Sequence, residues 1–230
     1  MRKLALAALL LASASARAES PLWGSFQLKV ASYRPDIDAE FGGAATPYGD
    51  IFGTGRGWML QLGVARSLLT GVGTLDLGVG AGWFSRTGKG LVAAGFPNAG
   101  SPSGDDTSLR ILPLSLSLGY RFDLFASTVP LAPYARVSLE RWQWWVTRGG
   151  GGTARQGATN GWGAAVGVCL LLDFFDRTLA REMDRDMGIN HTHLFMEAAR
   201  AKVNYFGSKT SWDLSDYRKV TWSGGILFVF

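Results

Sequence analysis

The sequence predicts an all-β fold, a closed antiparallel transmembrane β-barrel of eight strands with one short amphipathic helix. Three observations lead there. Eight segments alternate large apolar residues with small or polar ones at a period of two, as strands with one apolar face do. Glycine (31) and tryptophan (9) are frequent while charged residues make up only 18%, which suits many short strands joined by turns. The aromatic residues also gather at the ends of those segments, where a barrel meets the two faces of a bilayer.

The first strand is expected over Leu22 to Tyr33, with Phe26, Leu28 and Val30 opposing Ser25, Gln27 and Lys29. A long polar loop, Pro35 to Arg56, follows. The second strand is Trp58 to Ala65. In the third, Thr74 to Phe84, Leu75, Leu77, Val79, Ala81 and Trp83 oppose Asp76 and three glycines. Those glycines lack the spacing and the Lys-Ser/Thr of a phosphate loop, and small inward residues of a narrow barrel account for them. Ser85 to Ser108, rich in Gly, Pro and Ser, is expected to be a second long loop.

The fourth strand, Leu109 to Phe122, carries the cleanest alternation, Leu112, Leu114, Leu116, Leu118 and Tyr120 on one face. The fifth is Tyr134 to Val146, its parity blurred near Arg141 and Gln143 by a bulge or by its leaving the membrane. A Gly149 to Gly152 loop leads to the sixth, Gly161 to Phe174. Over Asp176 to Met187 the period changes: Leu179, Met183 and Met187 recur every fourth residue and Gly188 follows, the marks of a short amphipathic helix with a C-cap. It is expected across the periplasmic mouth. The seventh strand, His193 to Tyr205, has Arg200 and Lys202 opposite Ala199, Ala201 and Val203, with Glu197 interrupting the pattern. The eighth strand is the terminal TWSGGILFVF.

The first residues read as an export signal. Arg2 and Lys3 precede an apolar run, Leu4 to Ala12, shorter than the about 20 residues a spanning helix needs, and Ala16-Arg17-Ala18 is a small-x-small cleavage pattern. A signal peptide over 1–18, cut between Ala18 and Glu19, leaves a barrel domain over 19–230. Its removal takes away three bases and no acids, so the formal charge falls from +5 to +2 and gives no reason to expect nucleic acid. The single cysteine, Cys169, reads as a small strand residue.

An even strand count puts both ends of the chain on one side, expected to be periplasmic. The long connections, after strands one and three, then fall outside. Trp58, Trp83, Trp145 and Trp162 lie at the outer strand ends and Trp23, Tyr120, Phe174 and Phe230 at the inner ends, giving two girdles. By parity the lumen receives Lys29, Asp76, Arg121, Arg136, Glu140, Asp173, Arg200 and Lys202, five bases against three acids. A polar, largely closed lumen is expected, with any leak favouring anions.

In the last strand, Ser223, Gly225, Phe228 and Phe230 resemble the assembly signal of bacterial outer-membrane barrels: polar, any, glycine, any two, aromatic, any, terminal aromatic. With eight strands, the chain resembles the small outer-membrane barrels of the OmpA, OmpX and OmpW kind. REMDRDMGINHTHLF is similar to uncharacterised predicted barrels of myxobacterial type that carry a helix before the seventh strand. These resemblances imply an outer-membrane location, outer-membrane lipid and the barrel-assembly machinery as partners, and no particular activity.

Candidate chemical sites are few. His191-x-His193 places two imidazoles on one strand face, but no third metal ligand lies nearby in sequence, so polar residues at a helix-to-strand junction is the better reading. Asp105-Asp106 is a carboxylate pair in the second loop, with both histidines expected across the membrane from it, so a solvated loop is the better reading. No catalytic, metal or cofactor site is expected. The expected function is a non-enzymatic barrel offering surface loops, or a narrow path for a small or apolar molecule, and not a general porin. The alternative is an outer-membrane lipid-modifying hydrolase or acyltransferase.

Overall fold

A computed structural model describes residues 22–92, 94–126, 128–149, 152–208 and 211–230. The expected signal peptide and its Ala18/Glu19 cleavage point lie outside the described residues. Eight strands follow in order: β1 Gly24–Tyr33, β2 Gly57–Leu69, β3 Thr74–Leu91, β4 Pro102–Arg121, β5 Leu131–Arg148, β6 Thr153–Leu171, β7 His191–Lys202 and β8 Thr221–Val229. Each pairs antiparallel with the next, and β8 pairs with β1, so the sheet closes without an edge. Closure is what hydrocarbon demands, because an unpaired strand edge there has no water to bond.

The outer surface follows the sequence alternation. Leu60, Leu62, Val79, Leu116, Val137 and Val166 all point away from the barrel and are exposed. That inversion, with the large apolar side chains outside, is the mark of a wall that faces lipid. Both described chain ends, Leu22 and Phe230, lie at one end of the barrel, here the terminal end. The β1–β2, β3–β4, β5–β6 and β7–β8 connections lie at the other, the loop end.

The wall is uneven in height. β1 and β8 have 10 and 9 residues, whereas β3 to β6 have 18 to 20. At about 3.3 Å per residue and a tilt of about 45°, β4 rises roughly 45 Å, well beyond the roughly 25 Å apolar band such barrels carry. Thus β3 to β6 stand clear of the bilayer at the loop end. The expected loop Ser85 to Ser108 is therefore mostly strand, β3 running on to Leu91 and β4 starting at Pro102, and β6 begins at Thr153 rather than Gly161. Above the membrane both faces are solvated, so alternation vanishes while backbone pairing continues; Thr87 and Ser108 bond across the ladder at 2.8 Å. β5 keeps one register with β4 through Arg141 and Gln143, which excludes a bulge there.

The short side of the wall compensates with its connections. The β1–β2 segment contains a 3-10 turn, Ile37–Phe41, and a short helix, α1 Pro47–Phe52. Asp38 accepts hydrogen bonds from the α1 amides of Tyr48 (2.7 Å) and Gly49 (3.1 Å) and pairs with Arg34 at 3.1 Å. The β7–β8 segment packs beside it. Pro35 bridges to Asp216, the Tyr33 hydroxyl donates to the Leu214 carbonyl at 2.5 Å, and Arg56 grips the Asp216 carboxylate. Together they bring Ile37, Tyr48, Phe52 and Leu214 against Phe84, Leu109, Ile111, Trp142 and Trp144 of the tall wall. This apolar core closes the loop end. Burial in it pushes the Tyr48 hydroxyl up to about 12.

A second helix, α2 Arg177–Met187, joins β6 to β7 at the terminal end. Asp176 caps it, accepting from the Thr178 and Leu179 amides at 3.0 Å, and Gly188 ends it at φ 69°. Arg177, Ala180, Arg181 and Asp184, one helical face, line the mouth, while Leu179 and Met187 of the apolar stripe are exposed.

The loop-end core gives a stability test. Leu109 is fully buried in it and Leu116, on the same strand, faces outward. Leu109→Ala should cost about 2–5 kcal/mol, and Leu116→Ala, in detergent, much less. Urea titrations of the heat-modifiable folded band check the difference.

Candidate functional site

Halfway along the lumen the Glu197 carboxylate, whose side chain is 0% exposed, collects five hydrogen bonds. Lys29 Nζ donates to Oε1 at 2.8 Å, and Ser223 Oγ donates to the same oxygen at 3.0 Å. Tyr134 Oη donates to Oε2 at 2.9 Å, and Arg136 Nη2 contacts both oxygens at 2.7 and 2.9 Å. Four strands, β1, β5, β7 and β8, are thereby tied at one point. Arg136 also donates to Gln27 Oε1 at 3.2 Å. Glu140 completes the layer, accepting from Ser138 at 2.6 Å and Trp142 Nε1 at 2.8 Å.

Two glycines allow the close approaches beside this network. Gly167 lies in the ladder between Tyr134 and Glu197, and a Cβ there would come within 2.7 Å of the Tyr134 ring. Gly225 lies opposite Lys29 on one side and Phe195 on the other, and a Cβ would strike the Leu28 carbonyl oxygen at 1.9 Å. A second polar cluster sits towards the terminal end. Arg121 Nε donates to Asp123 at 3.0 Å and Nη1 lies 3.8 Å from Asp76, which accepts from Ser67 at 2.9 Å. An internal cavity of about 150 Å³ is lined by both clusters, with Lys29, Arg136 and Glu197 on its wall as well as Asp76 and Arg121. Below it Ala132, Cys169, Phe195, Leu227 and Val229 pack together.

The structure redistributes the expected lumen residues. Lys29, Asp76, Arg121, Arg136 and Glu140 face inward. Arg200 and Lys202 do not: they pair with Ala164 and Trp162 on the outward face and are exposed. The inward parity of β7 is that of His193, Phe195 and Glu197, with small Ala199 and Ala201 above. Asp173 belongs to the rim, because β6 stops at Leu171 and 172–174 form a 3-10 turn. The expected cationic excess therefore disappears. Three bases, Lys29, Arg121 and Arg136, meet the carboxylates of Asp76, Asp123, Glu140 and Glu197.

Of the terminal-motif residues, Ser223 and Gly225 face the lumen, and Phe228 and Phe230 face outward against Phe26 and Trp23, with ring centroids 6.4 and 5.7 Å apart. Trp58, Trp83 and Trp162 lie exposed near the loop end, and Trp145 packs on Trp83 at 5.5 Å. Trp23, Tyr120 and Phe174 lie exposed at the terminal end. The strand pattern gave Glu197, Gln27 and Tyr134 no place in the lumen network that they form.

At the terminal end an open cavity of about 800 Å³ lies beneath α2. His191 and His193 line it, their rings 6.2 Å apart. Asp173 accepts from the Thr192 amide at 3.0 Å and lies 2.8 Å from His191 Nδ1, while His193 Nδ1 is buried with no protein partner. Among the described residues no group of three or more His, Cys, Asp or Glu side chains is placed to hold a metal ion. Asp106 pairs with exposed Lys89 at 2.7 Å at the loop end, on the opposite rim from the histidines. Cys169 is buried and free.

No family model matches the sequence, and no curated protein matches it. Among solved structures, the chain is similar to Neisserial surface protein A (TM-score 0.47, 12% identity, 92% of this chain and 98% of that one). It is also similar to OprG of Pseudomonas aeruginosa (TM-score 0.46, 11% identity, 93% and 99%). A third likeness is to Ail of Yersinia pestis (TM-score 0.42, 9% identity, 90% and 97%).

Replacing Glu197 should be severe. Glu197→Gln strands Lys29 and Arg136 in the lumen without a carboxylate, a loss of about 3–5 kcal/mol for a broken buried pair. Adding Lys29→Met removes one stranded cation and should restore part of it. The urea midpoints of the two variants decide this, and equal midpoints for Glu197→Gln and wild type would remove Glu197 from the centre of the network.

Proposed function

We propose that this chain is a non-enzymatic outer-membrane barrel, with both ends periplasmic, whose lumen is a filled structural core and whose working surface is the tall loop end. The observation that carries the reading is occlusion at three levels. The loop-end core, the Glu197 network and the Phe195–Leu227–Val229 cluster lie one below another along the axis. A pore would need all three cleared. The β3–β4 and β5–β6 hairpins, in contrast, extend beyond the lipid-facing band with exposed polar tips, and rigid paired strands hold surface groups in place better than loose loops.

Purified barrel in a planar bilayer should show little or no steady conductance. Large, stable, weakly selective channels from a verified monomer would overturn the filled-core reading. Orientation is tested separately with a cysteine at Ser103, in the β3–β4 hairpin, which should react with a membrane-impermeant maleimide on intact cells.

The terminal strand supports a second element of the proposal, delivery by the barrel-assembly machinery through Phe230. Its backbone bonds to Trp23 and Gly24, and its ring packs on Trp23. Phe230→Leu keeps the backbone bonds and an apolar contact. A recognition role for the aromatic ring predicts low membrane levels for Phe230→Leu alongside normal stability of whatever barrel is recovered. Normal levels would leave Phe230 as a seam residue only.

A further inference from the structure

The outward turn of Arg200 and Lys202 puts cations on a wall that otherwise faces lipid. They occupy the loop-end of β7, Lys202 directly opposite Trp162 on β6. On β5, Arg141 also faces outward and is exposed, opposite Asn160, to whose Oδ1 it donates at 3.1 Å. The outward faces of β5, β6 and β7 carry no carboxylate among the described residues, and none of these three bases is in an ion pair there. The one outward acid on β4, Asp106, is held by Lys89. Charge on a barrel's lipid face is costly in hydrocarbon and tolerated only near the interface. Trp162, amid the three bases, belongs to the aromatic level that marks that interface.

We propose that this patch binds the headgroup of a lipid bearing two phosphate groups, the phosphorylated glycolipid of the outer leaflet. The assignment of leaflet rests on the orientation proposed above. Charge complementarity selects a phosphate, because three donors with no acid among them leave an anion as the only neutralising partner. Spacing selects two. Arg141 and Lys202 lie on strands separated by β6, so at about 4.8 Å per strand their backbones are roughly 10 Å apart, too far for both to converge on one phosphate without strain. Arg141 takes one phosphate and the Arg200–Lys202 pair the other. The Trp162 indole lies between them against the sugar or acyl edge. Asn160 holds Arg141 extended along the wall, which lowers the entropy its side chain loses on binding.

The test is lipid retention by the purified, folded barrel in native mass spectrometry. The probes are bisphosphorylated lipid A, monophosphorylated lipid A, cardiolipin and phosphatidylglycerol. Wild type should hold one bisphosphorylated lipid A about tenfold more tightly than the monophosphorylated form. At roughly fivefold per interfacial cation, the Arg141→Gln/Arg200→Gln/Lys202→Gln variant should bind it on the order of 100-fold more weakly. Lys89→Gln, a base outside the patch, should bind as wild type does. Equal retention by the triple variant would overturn the site. Equal retention of the mono- and bisphosphorylated forms would overturn the two-phosphate assignment, and a preference for cardiolipin would overturn the glycolipid. If the triple variant does not fold, the ranking of lipids on wild type and on Lys202→Gln alone decides. Binding is measured on isolated protein, so a Ser103 cysteine unreactive on intact cells would refute the orientation while the lipid ranking stood or fell by itself.

Discussion

An eight-stranded barrel has an interior just wide enough to be filled by side chains, and most of this molecule follows from having to fill it. The lipid outside takes the large apolar groups, so what remains for the inside is polar or small. Polar groups withdrawn from water must bond one another. Glu197 meets that demand by accepting from three strands besides its own, and the inward glycines meet the other half by leaving room for long neighbours to cross. The ion pairs are therefore weak grounds for extra stability over an apolar filling, but they impose register. A slip of one residue between β7 and β8 would carry Ser223 away from Glu197 and turn Glu197 into lipid.

The same constraint explains the uneven wall. Strands that end near the membrane cannot close the mouth themselves, so the β1–β2 and β7–β8 segments fold inward and bury their apolar residues against β3–β6. Those four strands need their height for this: Phe84, Leu109, Trp142 and Trp144 are the surface on which the plug rests. Above the bilayer the barrel is thus built like a water-soluble domain, with apolar groups inside, and within the bilayer it is inverted. Trp142, which bonds Glu140 below and packs edge-on to Tyr33 above at 5.5 Å, sits at the change between the two regimes.

That change also governs what the sequence reveals. Where lipid covers one face, alternation is forced, and the Leu112–Tyr120 ladder on β4 places its strand without help. Past the bilayer neither face is constrained, so Arg86 to Leu91 and Pro102 to Ser108 look like loop although they are paired strand. β7 misled for a different reason. Ala198, Ala199 and Ala201 are small on both faces, which left Glu197 looking like an interruption and the two bases like lumen residues. The legible signal was at the other end of the strand, where Leu194 and Met196 share the parity of Arg200 and Lys202 and must face lipid. The loop-end plug was not legible at all, because its apolar residues are scattered singly through polar segments and meet only in three dimensions.

The seam between β1 and β8 is where these demands converge. It pairs only seven residues, Ser25 to Ala31 against Val229 to Ser223, and it joins the two strands furthest apart in the chain. Backbone bonding alone makes it shorter than the β3–β4 or β5–β6 ladders, and closure entropy weighs most on contacts of large sequence separation. Side chains reinforce it from both faces. Inside, Lys29 reaches across β8 to Glu197 on β7, and Gly225 lets the β8 backbone come close to Leu28. Outside, Phe26 packs on Phe228 and Trp23 on Phe230. Of the four residues that resemble an assembly signal, Gly225, Phe228 and Phe230 therefore hold this last seam, and Ser223 ties β8 to Glu197 on β7.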